Sequence, residues 1–186
     1  HVPEVENLIL VNKNIGRSTV WGLPYNMPPS MVPSLAAYSM RRRNTFHTSA
    51  TGEIALEAAT GVKVDARELE IGFGDHVEVR VRPERGMMSR MNERTRSAVA
   101  LYPTGKYGIW KVMFVDTWTE GSTDRPIVVN MNQSFINRMN TRCDEEKPTE
   151  NYMRQLGALK KQEPFEAESN EGPALVDAGL PDLPAE

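Results

Sequence analysis

The sequence predicts a mainly β protein: an antiparallel sandwich or barrel with short helices and an extended C-terminal tail. Three observations carry that prediction. Short runs of alternating or branched-and-aromatic residues recur, best at Val77, Val79 and Val81 and over residues 109–119. Proline- and glycine-rich connections separate them. After Cys143 the chain changes character. Residues 144–186 hold 11 Asp or Glu against 4 Lys or Arg, a net of −7, whereas residues 1–143 hold 14 acidic and 18 basic residues, a net of +4. The division expected is a β-sandwich body over residues 1–143 and an acidic, proline-containing tail over residues 144–186.

Taken in order, residues 8–11 (LILV) form an apolar run closed by Asn12-Lys13-Asn14, and read as a first strand. Residues 23–33 (LPYNMPPSMVP) hold four prolines, which cannot donate to a ladder, so they read as an irregular connector. Residues 34–40 suit a single helical turn capped by Ser34 and leading into Arg41, Arg42 and Arg43. Residues 45–51 are polar and read as extended. Residues 53–59 are ambiguous, helix by composition and strand by alternation. Val62, Val64 and Ala66 alternate with charges.

Val77, Val79 and Val81 give the cleanest period of two, with His76, Glu78, Arg80 and Arg82 on the other face and Pro83 as the stop. Residues 87–101 place Met88, Met91, Thr95 and Ala98 at helical spacing, with a long loop as the competing reading. Residues 109–119 are apolar on both faces, as in a central strand. Residues 120–124 read as a polar turn, and residues 125–133 as the returning strand of a hairpin, with Pro126 near its start. In the tail, residues 152–161 are long enough for a turn or two of helix, which is marginal without a surface to pack on. Tyr152, Leu156, Phe165, Leu175 and Leu180 are spaced apolar anchors in an otherwise linker-like segment, and so read as tail anchors of a strap that binds a surface.

Length sets a default of one domain, large enough for its own core. The single cysteine, Cys143, leaves no disulfide within the chain and fits a reducing compartment. No apolar run approaches the roughly 20 residues of a membrane span, and no signal-peptide pattern is visible. The chain begins at His1, as a processed or trimmed product would. Asn132-Gln133-Ser134 matches a glycosylation sequon that we read as fortuitous.

Motifs for chemistry are sparse. There is no G-x-S-x-G elbow, P-loop or dinucleotide fingerprint. Cys143 has no neighbouring histidine and reads as an inert thiol. Residues 72–78 (GFGDHVE) resemble the glycine-rich turn that leads to metal ligands in cupins, and His76 and Glu78 would share a strand face. The usual second histidine is missing there, and His1 and His47 lie in unpatterned segments. No catalytic residue, metal ligand or cofactor is therefore assigned. The arginines Arg41, Arg42, Arg43, Arg80, Arg82 and Arg90 are the candidate contacts. The planar guanidinium suits both phosphate oxygens and protein interfaces. Interspersed Glu78, Glu84 and Glu93 offset much of the charge, and a net of +4 is small for a dedicated nucleic-acid binder. Ten methionines, many beside connections, suit adaptable apolar contacts.

The strand pair over residues 108–132 and the proline-containing segment after Cys143 resemble the end of a jelly-roll coat protein of picorna-like viruses. There, the last two long strands precede a tail that runs over neighbouring subunits. The basic N-terminal arm of such proteins has no counterpart here. The resemblance implies a jelly-roll-like sandwich, a structural subunit rather than an enzyme, and location in a virion, or in the cytoplasm if the subunit belongs to some other assembly. It implies as partners copies of the chain or related subunits, and RNA through the internal arginines. The alternatives from other classes are a nucleic-acid-associated β protein of a ribonucleoprotein particle and a cupin-like metalloenzyme centred on His76 and Glu78.

Overall fold

The computed structural model describes residues 2–48, 52–80, 95–106, 108–150 and 152. The elements are helix α1 (Pro3–Gly22), a 3-10 turn (Pro29–Met31), helix α2 (Val32–Phe46), helix α3 (Ala55–Thr60) and a second 3-10 turn (Ala66–Leu69). Strands β1 (His76–Arg80), β2 (Thr95–Pro103), β3 (Ile109–Phe114), β4 (Glu120–Asp124) and β5 (Ile127–Val128) follow, and then helix α4 (Gln133–Glu145). Among the described residues this is a mixed α/β fold with one antiparallel sheet. The expected antiparallel strands are present, in a single five-stranded sheet, and the helical share is larger than that of the mainly β fold expected above.

The sheet has the order β4-β3-β2-β1-β5. β4 and β5 occupy opposite edges, yet only Arg125 and Pro126 separate them. In a flat sheet those edges would lie about 19 Å apart, four spacings of ~4.8 Å. Three Cα steps reach about 11 Å at most. The sheet must therefore curl until β5 returns beside β1, as a small, partly open barrel. Three local features serve that curl. β2 carries a register shift between Ala100 and Tyr102, which bends the strand. Arg125 adopts a positive φ of 58° and its N–H donates to the Gly108 carbonyl (3.2 Å). The concave face carries small residues, Ala98, Ala100 and Gly121, beside Val77, Val79, Trp110 and Val112. At Gly121 a Cβ would meet the Phe114 ring at 2.5 Å, so only glycine fits.

The other face of the sheet meets the helices. Phe135 of α4 stacks on His76 (centroids 4.1 Å), and Tyr25 meets Phe135 edge-on at 5.9 Å. Phe135, Met139 and Cys143, spaced by four, form the buried stripe of α4. Asn132 caps this helix by accepting from the Phe135 N–H (2.9 Å). α2 packs on β2, with Tyr38 against Phe73.

Several sequence-based expectations change. Residues 8–11 are helical, not a strand. Pro3 at the first turn with Glu4 and Glu6 beside it starts α1, and the apolar residues recur at helical spacing on both sides of the LILV run. The single turn at residues 34–40 is part of a 15-residue helix that includes Arg41, Arg42 and Arg43. Residues 53–59 resolve to α3, closed by Gly61 at φ 68°. Residues 62–66 form no strand. Residues 95–101 belong to β2 rather than to a helix, while residues 87–94 lie outside the described residues. The turn expected at 120–124 is β4, and the actual turn falls at 115–119. The returning strand is reduced to Ile127–Val128, and it pairs with β1 instead of β3. The connector at residues 23–33 is irregular as expected but well buried: Leu23, Tyr25 and Met27 point inward in alternation. β1 stands where the alternation placed it, and β3 starts where expected but ends at Phe114 rather than running to residue 119. α4 runs through Cys143 to Glu145, and Tyr152 packs against the core.

Candidate interaction site on α1 and α2

α1 and its N-cap residue Val2 carry an apolar stripe at helical spacing: Val2, Val5, Ile9, Gly16 and Val20, interrupted by Asn12. Its C-terminal half is used. Val20 is buried, and Gly16 lies against Leu35 and Ser39 of α2, where an added Cβ would come within 3.5 Å of Ser39 Oγ. Its N-terminal half is bare: Val2, Val5 and Ile9 are 55, 49 and 48% exposed. Leu10 on α1 and Met40 and Phe46 on α2 are exposed as well. Helical stripes of this kind are usually covered in a stable fold.

A groove of about 520 Å³ runs between the helices, lined by Ile9, Val32, Leu35 and Met40 and flanked by Lys13 and Arg17. Asn12 Oδ1 and Ser39 Oγ, both in its walls, are shielded from solvent and have no hydrogen-bond partner among the described residues. Such groups normally cost about 1–3 kcal/mol each, so the seam between the helices is imperfectly satisfied as it stands.

The arginines expected to make contacts have divergent fates. Arg41 donates from Nε and Nη2 to Glu68 (3.0 and 2.6 Å), and Glu68 is buried. Arg42 lies over the Tyr38 and Phe46 rings at 5.7 and 5.1 Å. Arg43 is half-buried, one turn beyond Ser39 on the α2 stripe that bears Val32 and Ala36, and has no ion-pair partner among the described residues. Arg80 is exposed at the end of β1, where it lines a separate recess with Arg96 and Phe114. Arg96, which belongs to the same arginine-rich stretch of sequence as Arg80, Arg82 and Arg90, is bidentate to Asp116 and stacked at 4.1 Å on Phe114, and it holds the Asp116 carboxyl below its ordinary pKa. Arg82 and Arg90 lie outside the described residues. So do Leu156, Phe165, Leu175 and Leu180. Of the tail anchors, Tyr152 alone is described. It is partly buried against the core, and burial raises its pKa.

Among the described residues, His76 and Glu78 gain no further metal-ligating neighbour. His76 is buried, its Nε2 within 2.8 Å of Ser97 Oγ and its ring stacked on Phe135. Burial lowers its pKa, against the raising influences of the Asn130 carbonyl and Glu78. Among the described residues no three His, Cys, Asp or Glu side chains are placed to share a metal. Cys143 is buried with Sγ 3.5 Å from the Met27 carbonyl, and burial, aided by Asp144 and Glu146, pushes its thiol up to about 11. Burial and the raised pKa both disfavour its thiolate at neutral pH.

A polar clasp ties α4 to the connector before α2. Glu146 accepts from Ser30 N–H and Oγ–H (both 2.8 Å), from Trp118 Nε1–H (3.0 Å) and from Arg142 Nε–H (3.0 Å). Burial would raise the Glu146 pKa, but these donors outweigh it and hold the carboxyl below its ordinary value. Asn26 N–H donates to Asn140 Oδ1 (2.7 Å). The chain therefore leaves α4 two residues in sequence from Val32, at one end of the groove.

Sequence reasoning missed the α1–α2 surface because it took residues 8–11 as a strand. The signal was present: Val2, Val5, Ile9, Gly16 and Val20 share one helical face, and four contiguous apolar residues hid it. Compared with protein-family models, curated proteins and solved structures, the chain matches none. Among the described residues no helix is long and apolar enough to cross a membrane.

Proposed function

We propose that this chain is a structural, non-catalytic subunit that acts through protein–protein contact, with the bare half of the α1 stripe as its principal interface. The observation that carries this reading is the split along one helix: the same stripe is buried at Gly16 and Val20 and exposed at Val2, Val5 and Ile9. The occupant is a second copy. Glu4 lies at the start of α1, and Lys13 lies farther along it. Two α1 helices laid antiparallel would bring the acidic end of each toward the basic part of the other, while burying Val5 and Ile9 at the seam. A shell built from many copies, as in a virus coat, is the narrower form of this proposal.

Electron microscopy and light scattering of the purified chain test it. Defined oligomers or closed particles support the reading, and the loss of these in a Val5→Lys, Ile9→Lys variant with an unchanged circular dichroism spectrum assigns them to α1. A monodisperse monomer at high concentration overturns it.

A second reading, nucleic-acid contact, has one observation in its favour: Lys13 and Arg17 flank the groove between α1 and α2, and Arg43 lies one turn beyond Ser39 on α2. The pairing of Arg41 and Arg96 with carboxylates weakens it. Duplex or single-stranded binding that weakens steeply with salt would favour this reading, and its absence at low salt removes it.

A further inference from the structure

We propose that His76 is an acid-released latch between the sheet and α4: its neutral ring holds the N-terminal end of the helix against the sheet, and protonation frees that end while the C-terminal end stays clasped. The inference does not rest on the self-association reading, since the latch involves no residue of α1 or α2.

His76 is fixed at its backbone and covered at its ring. It pairs with Val99 of β2, and its carbonyl accepts from Val129 N–H (3.0 Å). Its ring stacks on Phe135, the first buried residue of α4, with centroids 4.1 Å apart and planes inclined at 23°. The strand cannot yield without breaking its ladder. Water therefore reaches the ring by displacing Phe135 and, with it, the first turns of α4.

The closed site accommodates one proton on the ring, not two. Nε2 has Ser97 Oγ at 2.8 Å as its partner, whereas Nδ1 is shielded from solvent and has no hydrogen-bond partner among the described residues. A neutral ring with its proton on Nε2 donates to Ser97 and leaves Nδ1 bare. An imidazolium carries N–H on both nitrogens, and the second would be a buried donor with no acceptor. Burial lowers the His76 pKa below its ordinary 6.5, although the Asn130 carbonyl beyond β5 and Glu78 on β1 favour the charged form. No charged side chain of β2, the connector or α4 acts on the ring. Those elements present Ser97, Phe135 and, edge-on to Phe135, Tyr25, which burial keeps protonated.

The far end of α4 has the opposite proton chemistry. Asn140 accepts from Asn26 N–H, and Glu146 accepts from Ser30, Trp118 and Arg142. Burial opposes ionisation of Glu146, but these donors hold its carboxyl below the ordinary 4.5. The clasp is thus fully present above pH 4.5 and is lost only as pH falls below that. The latch has the reverse sign for its window. A solvated ring binds its proton more tightly than the closed one, so the latch is fully present above pH 6.5 and weakens as pH falls below it. Between those two limits α4 pivots on its C-terminal turn and bares Phe135 and Met139.

Oxidation of methionines by dilute hydrogen peroxide in the full-length chain tests this, because a buried thioether reacts only when it is uncovered. Met139 on α4 is 0% exposed, Met113 in β3 is 5% exposed, and Met40, 55% exposed, is the reference. The rate at Met139 relative to Met40 should rise several-fold from pH 7.0 to pH 5.5. The ceiling is about eightfold, set by one proton with an open-state pKa of about 6.5. Met113 should react more slowly than Met139 at both values. In His76→Gln the Met139 ratio should be the same at both. Carbon-13 titration of His76 Cε1 in the natural chain is the second measurement, should that variant not fold: its midpoint should lie below 6.5. A Met139 ratio that does not change with pH overturns the proposal. Oxidation of Met113 as fast as that of Met139 does so too, since α4 would then open only with the whole fold. So does a rise that persists in His76→Gln, or a His76 midpoint at or above the ordinary value.

Discussion

Gly74 is the residue on which the connector's path depends most. It holds a φ of +87°, and a Cβ there would collide with Leu23 Cδ2 and come within 2.8 Å of the Tyr25 hydroxyl. Tyr25 in turn donates its hydroxyl hydrogen to the Gly74 carbonyl (2.8 Å), and burial, with Asp75 nearby, raises its pKa so that it stays a donor at any ordinary pH. Gly74→Ala combines backbone strain with overpacking and should cost about 2–4 kcal/mol, measured by urea unfolding. His76 gives the chain a pH dependence. Its folded-state pKa is lowered by burial, so the unfolded chain binds a proton first as pH falls. The stabilising contribution is present above an unfolded pKa of about 6.5 and is lost progressively below it. The urea midpoint should therefore drop between pH 7 and pH 5, and His76→Asn should show a shallower drop.

At the scale of elements, α4 organises one side of the molecule, because its Phe135, Met139 and Cys143 stripe and its Glu146 clasp both bear on the connector. Removing the cap with Asn132→Ala should cost about 1 kcal/mol. The cost should be visible as faster alkylation of Cys143 in the native state, since that thiol is reached only when α4 opens. Elements also show where sequence reasoning succeeds. β1 and β3 were legible because Val77 and Val79, and the largely apolar run from Ile109 to Phe114, need no partner to reveal their period. α1 was not, because Leu8 to Val11 satisfy strand and helix patterns alike until the spacing of Val5, Ile9, Gly16 and Val20 is followed through. β4 was invisible for the opposite reason: Glu120, Gly121, Ser122, Thr123 and Asp124 contain no apolar residue, and the strand forms only because β3 offers an edge. β5 lost its expected start because Arg125 and Pro126 are spent on closing the curl, and its expected end because the chain turns there into α4, capped by Asn132. The arginines were legible as residues but not as contacts, since Glu68 and Asp116 reach Arg41 and Arg96 only in the fold.

For the whole molecule, the account joins a curled five-stranded sheet to two helices that are only partly covered. The folded body holds Val2, Val5 and Ile9 in water although the same stripe is buried farther along at Gly16 and Val20. Burying these three side chains would return about 25 cal/mol per Å² of apolar surface, which makes association favourable if geometry permits it. The central claim is that this stripe is an interface between copies. Sedimentation velocity over a wide concentration range, on the full-length chain and on its Val5→Lys, Ile9→Lys variant, tests it most directly. The account predicts concentration-dependent oligomers for the natural sequence and a monomer for the variant, with matching circular dichroism spectra. A natural chain that stays monomeric at every concentration, or a variant that associates equally well, would contradict it.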